Sequence, residues 1–277
     1  MVDRGAAGML WCRPFNGGSD EKQGMDSAFE NPFVIFVGSL VAQALAAYLG
    51  YRLRPRSVAV AAGAHGDFDL VHGAALTLLA LLIGFTFSMA VSRYDQRVTH
   101  EEEEANAIGT GYLRADLLAS DDAASVRAVL RRYIATRIDF YEAREPARIA
   151  RAEAETASLQ NQLWSIAARN ATARPTPVMA LAVTGINDVL DSQGRTQAAW
   201  LNRIPAPAWG LMELTALACN ILLGYRLTSG RMGMLLILPV VTSISFFLIA
   251  DIDSPRSGIV DVIPQNLVMQ AQAMKTP

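Results

Sequence analysis

Lysine, histidine and cysteine are scarce in this chain of 277 residues. Lysine stands only at Lys22 and Lys275, histidine only at His65, His72 and His100, and cysteine only at Cys12 and Cys219. Two cysteines so placed give neither a disulfide framework nor a metal-ligand spacing. No Ser/His/Asp arrangement, Cys/His pair or Gly-rich phosphate loop is present, so nucleophilic and phosphoryl-transfer chemistry lack their groups. The reading is a protein that is not an enzyme and needs no cofactor or metal. Charged residues are also few, 18% against the ~25% of ordinary soluble domains. The net charge of −2 offers no field for nucleic acid. Residues 1–30 mix charge with glycine and lack the apolar core of a secretory signal. They read as a disordered tail, with Met25 as an alternative start that would leave 1–24 untranslated.

What the chain has in abundance is apolar sequence: 52% of its residues are hydrophobic, gathered in blocks. The blocks are 32–51, 71–92, 207–225 and 232–250. About 20 apolar residues at 1.5 Å each cross a ~30 Å hydrocarbon core. A chain in lipid must satisfy its own backbone, so each block should be helical. The expectation is an all-α integral membrane protein with four transmembrane helices, whose lipid partner is the bilayer. Residues 31–92 would form one transmembrane hairpin and 206–250 a second. Between them, 93–205 would be a helical soluble domain, and 251–277 a C-terminal tail. Val126, Val129, Leu130, Tyr133, Ile134, Ile138 and Tyr141 recur at three- and four-residue steps, one apolar helical face. Asp121 and Asp122 stand where an N-cap belongs. A second soluble helix should run from 146 to about 170, and a third from 178 to 203.

The junction at residue 92 is the most informative. Neither Pro nor a Gly cluster separates the second block from the charged run RYDQRVTHEEEEANAIGTGYLRADLL. One helix should therefore leave the bilayer and continue into water. Along it, Gly73, Thr77, Ala80, Gly84, Ser88, Val91, Asp95, Thr99, Glu102, Asn106 and Thr110 fall on one stripe. Such a stripe either lines a water-filled pore or packs against another helix through small residues, and packing is the commoner cause. Glu101–Glu104 reads as a solvated face with one inward acid, Glu102 or Glu103. Glu213, an ionisable group inside the third span, is either functional or paired with Arg203. Asp251 and Asp253 should cap or pair with an arginine such as Arg256.

GFTFSMAVSRYDQR, EEEEANAIGTGYLRADLL, INDVLDSQGRTQAAWLNRIPAPAW and FLIADIDSPRSGIVDV together resemble the bacterial bestrophin-like domain family over about residues 30–268. That family is distantly similar to bestrophins, which are pentameric anion channels. The resemblance implies a homo-oligomer, a pentamer by that likeness, formed around the second helix and passing inorganic ions. Gly84-Phe85, Ser88 and Arg93-Tyr94 match the pattern of the bestrophin neck helix, which implies neck side chains at Thr77, Leu81 and Phe85. Pore candidates are thus Thr77, Leu81, Gly84, Phe85 and Ser88, continued by Asp95, Glu102, Glu103, Asn106 and Thr110. Tyr94-Asp95 departs from the double tryptophan of bestrophins, and no acidic calcium clasp is visible. The alternative is a non-conducting scaffold or sensor whose soluble helices bind a partner. Arginines flank both ends of the spans, so the positive-inside rule is divided. The resemblance implies a multi-pass protein of the bacterial inner membrane with the soluble bundle in the cytosol.

Overall fold

A computed structural model describes residues 31–53, 65–226 and 232–275. Among these the chain is helical and holds no strand. Helix α1 spans Pro32–Leu53, α2 His65–Arg114, α3 Ser120–Glu142, α4 Pro146–Ala173, α5 Pro177–Leu201, α6 Ala206–Arg226, α7 Ile237–Asp253 and α8 Gln265–Ala273. Single 3-10 turns, Ala115–Leu117 and Met232–Leu236, follow α2 and precede α7. The loop between the first two spans and the turn between the last two lie mostly outside the described residues.

Helix α2 is a single rod of 50 residues, about 75 Å long at 1.5 Å per residue. It contains no proline, and its charged half is rich in Glu, Arg and Ala, which favour helix. Residues 65–70, read from sequence as loop, already belong to it. Helices α4 and α5 each begin with proline at the first helical position, where a missing N–H costs nothing and φ is already correct. The Thr176 hydroxyl accepts from Met179 N at 3.2 Å and caps α5. Asp121 and Asp122 stand in the first turn of α3 rather than at its cap, which is Ala119. Their charge still favours the positive end of that helix. Pro239 explains the 3-10 start of the last span, since its ring cannot donate back to Leu235.

Among the described residues, four stretches are long and apolar enough to cross a membrane: Pro32–Leu53, Phe68–Leu117, Pro177–Arg226 and Gly233–Asp253. In the membrane half, α1 packs on α6 and α7, and α2 packs on α6 and α7 as well. The interior face of α1 carries Ser39, Gln43, Ala46, Ala47 and Gly50, while Phe33, Val37, Val41 and Leu45 point outward. This inverts a soluble helix, as expected where the surroundings are as apolar as leucine. Leu79, Ala90, Met212, Ala216, Phe246 and Ile249 form the membrane-half core. A second core, around Ile108, Val126, Leu130, Tyr133, Leu159, Leu163, Ile186 and Val189, joins α2 to α3, α4 and α5.

The α1–α6 contact depends on two glycines. A Cβ at Gly224 would fall 1.9 Å from the Ala47 carbonyl oxygen, and one at Gly50 would fall 2.0 Å from that of Ile221. The two backbones touch directly, so no side chain fits at either position. At Gly84 of α2 nothing lies within 4 Å. Gly224→Val should therefore destabilise the protein by about 3 kcal/mol or more, the upper range for overpacking. Gly84→Ala should stay within about 0.5 kcal/mol. Thermal unfolding of the two variants in detergent checks the contrast.

Candidate functional site: one uncovered face of the long helix

Thr77, Leu81, Gly84, Phe85 and Ser88 are all exposed on α2, and so are Asp95, Glu102, Glu103, Asn106 and Thr110. Phe85 is 70% exposed and Leu81 52%. At 100° per residue these ten positions share one sector about 80–100° wide. The sector extends about 50 Å from Thr77 to Thr110. The two stripes drawn from the sequence overlap there: the Thr77–Leu81–Phe85 stripe lies within the sector, and the small polar one extends up to about 40° past its edge at Gly73, Ala80 and Val91. Of the small polar stripe only Val91 is even half-buried. The face does not pack against α6 or α7 of its own chain. It is apolar to weakly polar as far as Ser88 and strongly polar from Asp95 onward. The Thr77 hydroxyl donates to Gly73 O at 2.9 Å, which satisfies it within its own helix. Glu103 is met by His100 Nδ1 at 3.0 Å and by Arg195 Nε of α5 at 3.5 Å.

The opposite face of α2 holds the rod in place, and its main supports are charged. Arg97 is 1% exposed. It donates to Ala199 O at 3.3 Å, Asn202 O at 3.4 Å, Ile252 O at 3.2 Å and Asp253 O at 2.9 Å. Those carbonyls are the open C-terminal ends of α5 and α7, which need donors and favour a cation. Asp253 accepts from Arg93 Nη1 at 3.3 Å and from Ile204 N at 3.0 Å. Asp253 thus pairs with Arg93, not with Arg256. Arg256 instead stacks on Phe140 and Trp200 at 4.5 and 4.3 Å and donates to Phe140 O and Ala143 O. Burial lowers its pKa to about 10. Asp251 accepts from Ile259 N and Val260 N, fixing the chain that leads back to α8.

The inward acids of the Glu run are Glu101 and Glu104, at 1% and 0% exposure, rather than Glu102 or Glu103. The helical phase separates them: at 100° per residue from Ile108, Glu101, Glu104 and Ala105 fall at about +20°, −40° and +60°, while Glu102 and Glu103 fall at about +120° and −140°. Glu101 accepts from Leu267 N at 2.8 Å and Asn266 Nδ2 at 2.6 Å, capping α8 from another helix. Glu104 accepts from Arg137 Nε at 2.5 Å and Thr196 Oγ1 at 3.0 Å, tying α2 to α3 and α5. Burial pulls the Arg137 guanidinium down, but the Glu104 carboxylate beside it outweighs this and holds its pKa up. Burial, with Glu104 adding to it, pushes the Tyr133 and Tyr141 phenols upward. The signal for these residues was in the sequence: Leu79, Thr86, Ala90, Arg97, Glu101, Glu104 and Ile108 continue one face. Glu213, in α6, is half-buried and accepts from Gln43 Nε2 at 3.4 Å.

Four stretches able to span a membrane, one of them a long helix that continues into a helical bundle, define an all-α integral membrane protein. The chain belongs to the Bestrophin-like domain family, whose pattern matches residues 37–267. It is similar in fold to a point mutant of a bacterial bestrophin homolog from Klebsiella pneumoniae. There the TM-score is 0.57 at 12% identity, covering 87% of this chain and 99% of that one. A bacterial bestrophin homolog from the same organism, solved by Zn-SAD phasing, gives 0.56 at 13% identity over 85% and 98%. A point mutant described only as a membrane protein gives 0.56 at 14% identity over 85% and 98%. No curated protein matches by sequence.

Removing one member of the Glu104–Arg137 pair leaves a buried charge without its partner, which typically costs about 3–5 kcal/mol. Glu104→Ala should lower stability by that amount, and the double variant Glu104→Met with Arg137→Met should recover most of it. Denaturant unfolding of the purified protein, followed by helix content, measures both.

Proposed function

We propose that copies of this chain assemble around α2 into an ion-conducting pore in the bacterial inner membrane. One observation carries this reading: a face of α2 from Thr77 to Thr110 stays exposed in the single chain, touched only where Arg195 of α5 reaches Glu103. Passive flux needs a lined constriction and no catalytic group. Thr77, Leu81, Gly84, Phe85 and Ser88 would line the membrane-level constriction. Asp95, Glu102, Glu103, Asn106 and Thr110 would line the wider polar continuation. Burial of Leu81 and Phe85 between copies would also remove the large apolar exposure that the single chain presents.

The likeness to bestrophins favours a homo-oligomer about this helix; five copies and an anion as the permeant ion are part of the proposal. It also supports a cytosolic soluble bundle. In this division 31–92 and 206–250 are membrane hairpins, 93–205 is the soluble domain, and 251–277 is a C-terminal tail whose helix α8, Gln265–Ala273, packs on α2 and α3. The alternative, a scaffold or sensor that conducts nothing, would use the polar half of the same face to bind a partner.

Purified protein in liposomes should pass ions. Phe85→Ala and Leu81→Ala should each change the flux severalfold, because both remove bulk from the narrowest apolar stretch. Tracer or stopped-flow flux measures this. Absence of flux from protein shown to be oligomeric, or wild-type flux from both variants, would favour the scaffold reading.

A further inference from the structure

Away from the α2 face, three membrane helices meet in a buried polar knot. Gln43 of α1, Asn220 of α6 and Thr242 of α7 are at most 3% exposed. Gln43 Oε1 accepts from Asn220 Nδ2 at 3.3 Å and from the Thr242 hydroxyl. Gln43 Nε2 donates to Glu213 Oε2 at 3.4 Å. Gln43 lies eleven residues after Pro32 in α1, about 16 Å along the helix, which is near the middle of a ~30 Å hydrocarbon core. Two oxygens of the knot have no hydrogen-bond partner, Glu213 Oε1 and Asn220 Oδ1; Ser243 Oγ, on the next residue after Thr242, has none either. Asn220 and Ser243 are fully buried.

Among the described residues, the one hydrogen-bond partner of the carboxylate is the neutral Gln43 amide. Residues 32–51 of α1, 71–92 of α2, 207–225 of α6 and 237–250 of α7 contain no Lys or Arg. Their other titratable groups are Tyr48, Tyr51, His72, Cys219 and Tyr225. His72 lies one turn from Asp69, which is paired with Arg226. Arg226 is 13 residues, about 20 Å, along α6 from Glu213. A carboxylate held by one amide donor in hydrocarbon is strongly disfavoured, so the neutralising charge comes from outside the chain. The donor set is one carboxylate with neutral carbonyl and hydroxyl oxygens. Divalent ions take several carboxylates, and the described residues hold no group of three His, Cys, Asp or Glu fit for one.

We propose that Glu213, held by Gln43 at the end of this buried polar knot, binds one monovalent cation, H⁺ or Na⁺. This makes a second ion site, separate from the α2 face. The test uses the full chain in nanodiscs at pH 7, with infrared spectra of the wild type and Glu213→Gln in choline and in sodium buffer. In choline the wild type should show a protonated-carboxyl stretch that Glu213→Gln lacks. A band that persists in sodium assigns the proton as occupant; a band lost saturably as sodium rises assigns sodium. An ionised Glu213 in choline, giving no such difference band, overturns the proposal. If Glu213→Gln does not fold, Gln43→Leu is compared with wild type by pH titration of the band. A midpoint moved at least tenfold in proton concentration supports the site, and an unmoved midpoint overturns it.

Discussion

Arg97 fastens the membrane half of the molecule to its soluble half. Its guanidinium reaches the last carbonyls of α5 and of α7 from a buried position on α2. Three helices that begin and end at different places are thereby joined at one level of the rod. An arginine suits the task because its planar fork carries several fixed donors and stays charged when buried. Asp253 and Arg93 complete the junction. With its ends so held, α2 passes the membrane boundary without a break.

Polar chemistry is distributed differently in the two halves. In the soluble bundle buried charge is paired: Glu104 with Arg137, and Glu101 with the N-terminus of α8. These links cross between α2 and the helices packed around it, so they fix the rotation of α2 as well as its position. Fixing that rotation decides which residues remain uncovered. In the membrane half the helices approach closely at Gly50 and Gly224, and polarity is confined to a few amides, hydroxyls and one carboxyl. The exposed face is therefore the remainder left by packing on the other side of α2, which is why it carries residues of such mixed type.

Much of this architecture was legible in the sequence. Long apolar runs specify spanning helices through length alone, and the absence of proline between residues 71 and 114 specified one continuous helix. The uncovered face was legible as a stripe, since helical periodicity groups residues whatever they contact. Which acid turns inward was harder. In four successive glutamates the composition is uniform, and only the phase relative to Ala105 and Ile108 separates Glu101 and Glu104 from Glu102 and Glu103. Arg97 gave no compositional signal either: a buried arginine looks like a surface one until its carbonyl partners, about 100 and 155 residues away, are folded against it. Helix α8 was invisible for a related reason. It is short, and a carboxylate on another helix caps it.

The central claim is that α2 is one phase-continuous helix whose uncovered face meets other copies of itself. Nitroxide labels placed singly at each position from 77 to 110, in the reconstituted protein, test it most directly. Label mobility and spin–spin broadening should oscillate with a 3.6-residue period that keeps its phase through Arg93, with the strongest broadening at 77, 81, 84, 88, 95, 102 and 106. A phase break near 93, or no broadening between copies on that face, would contradict the account.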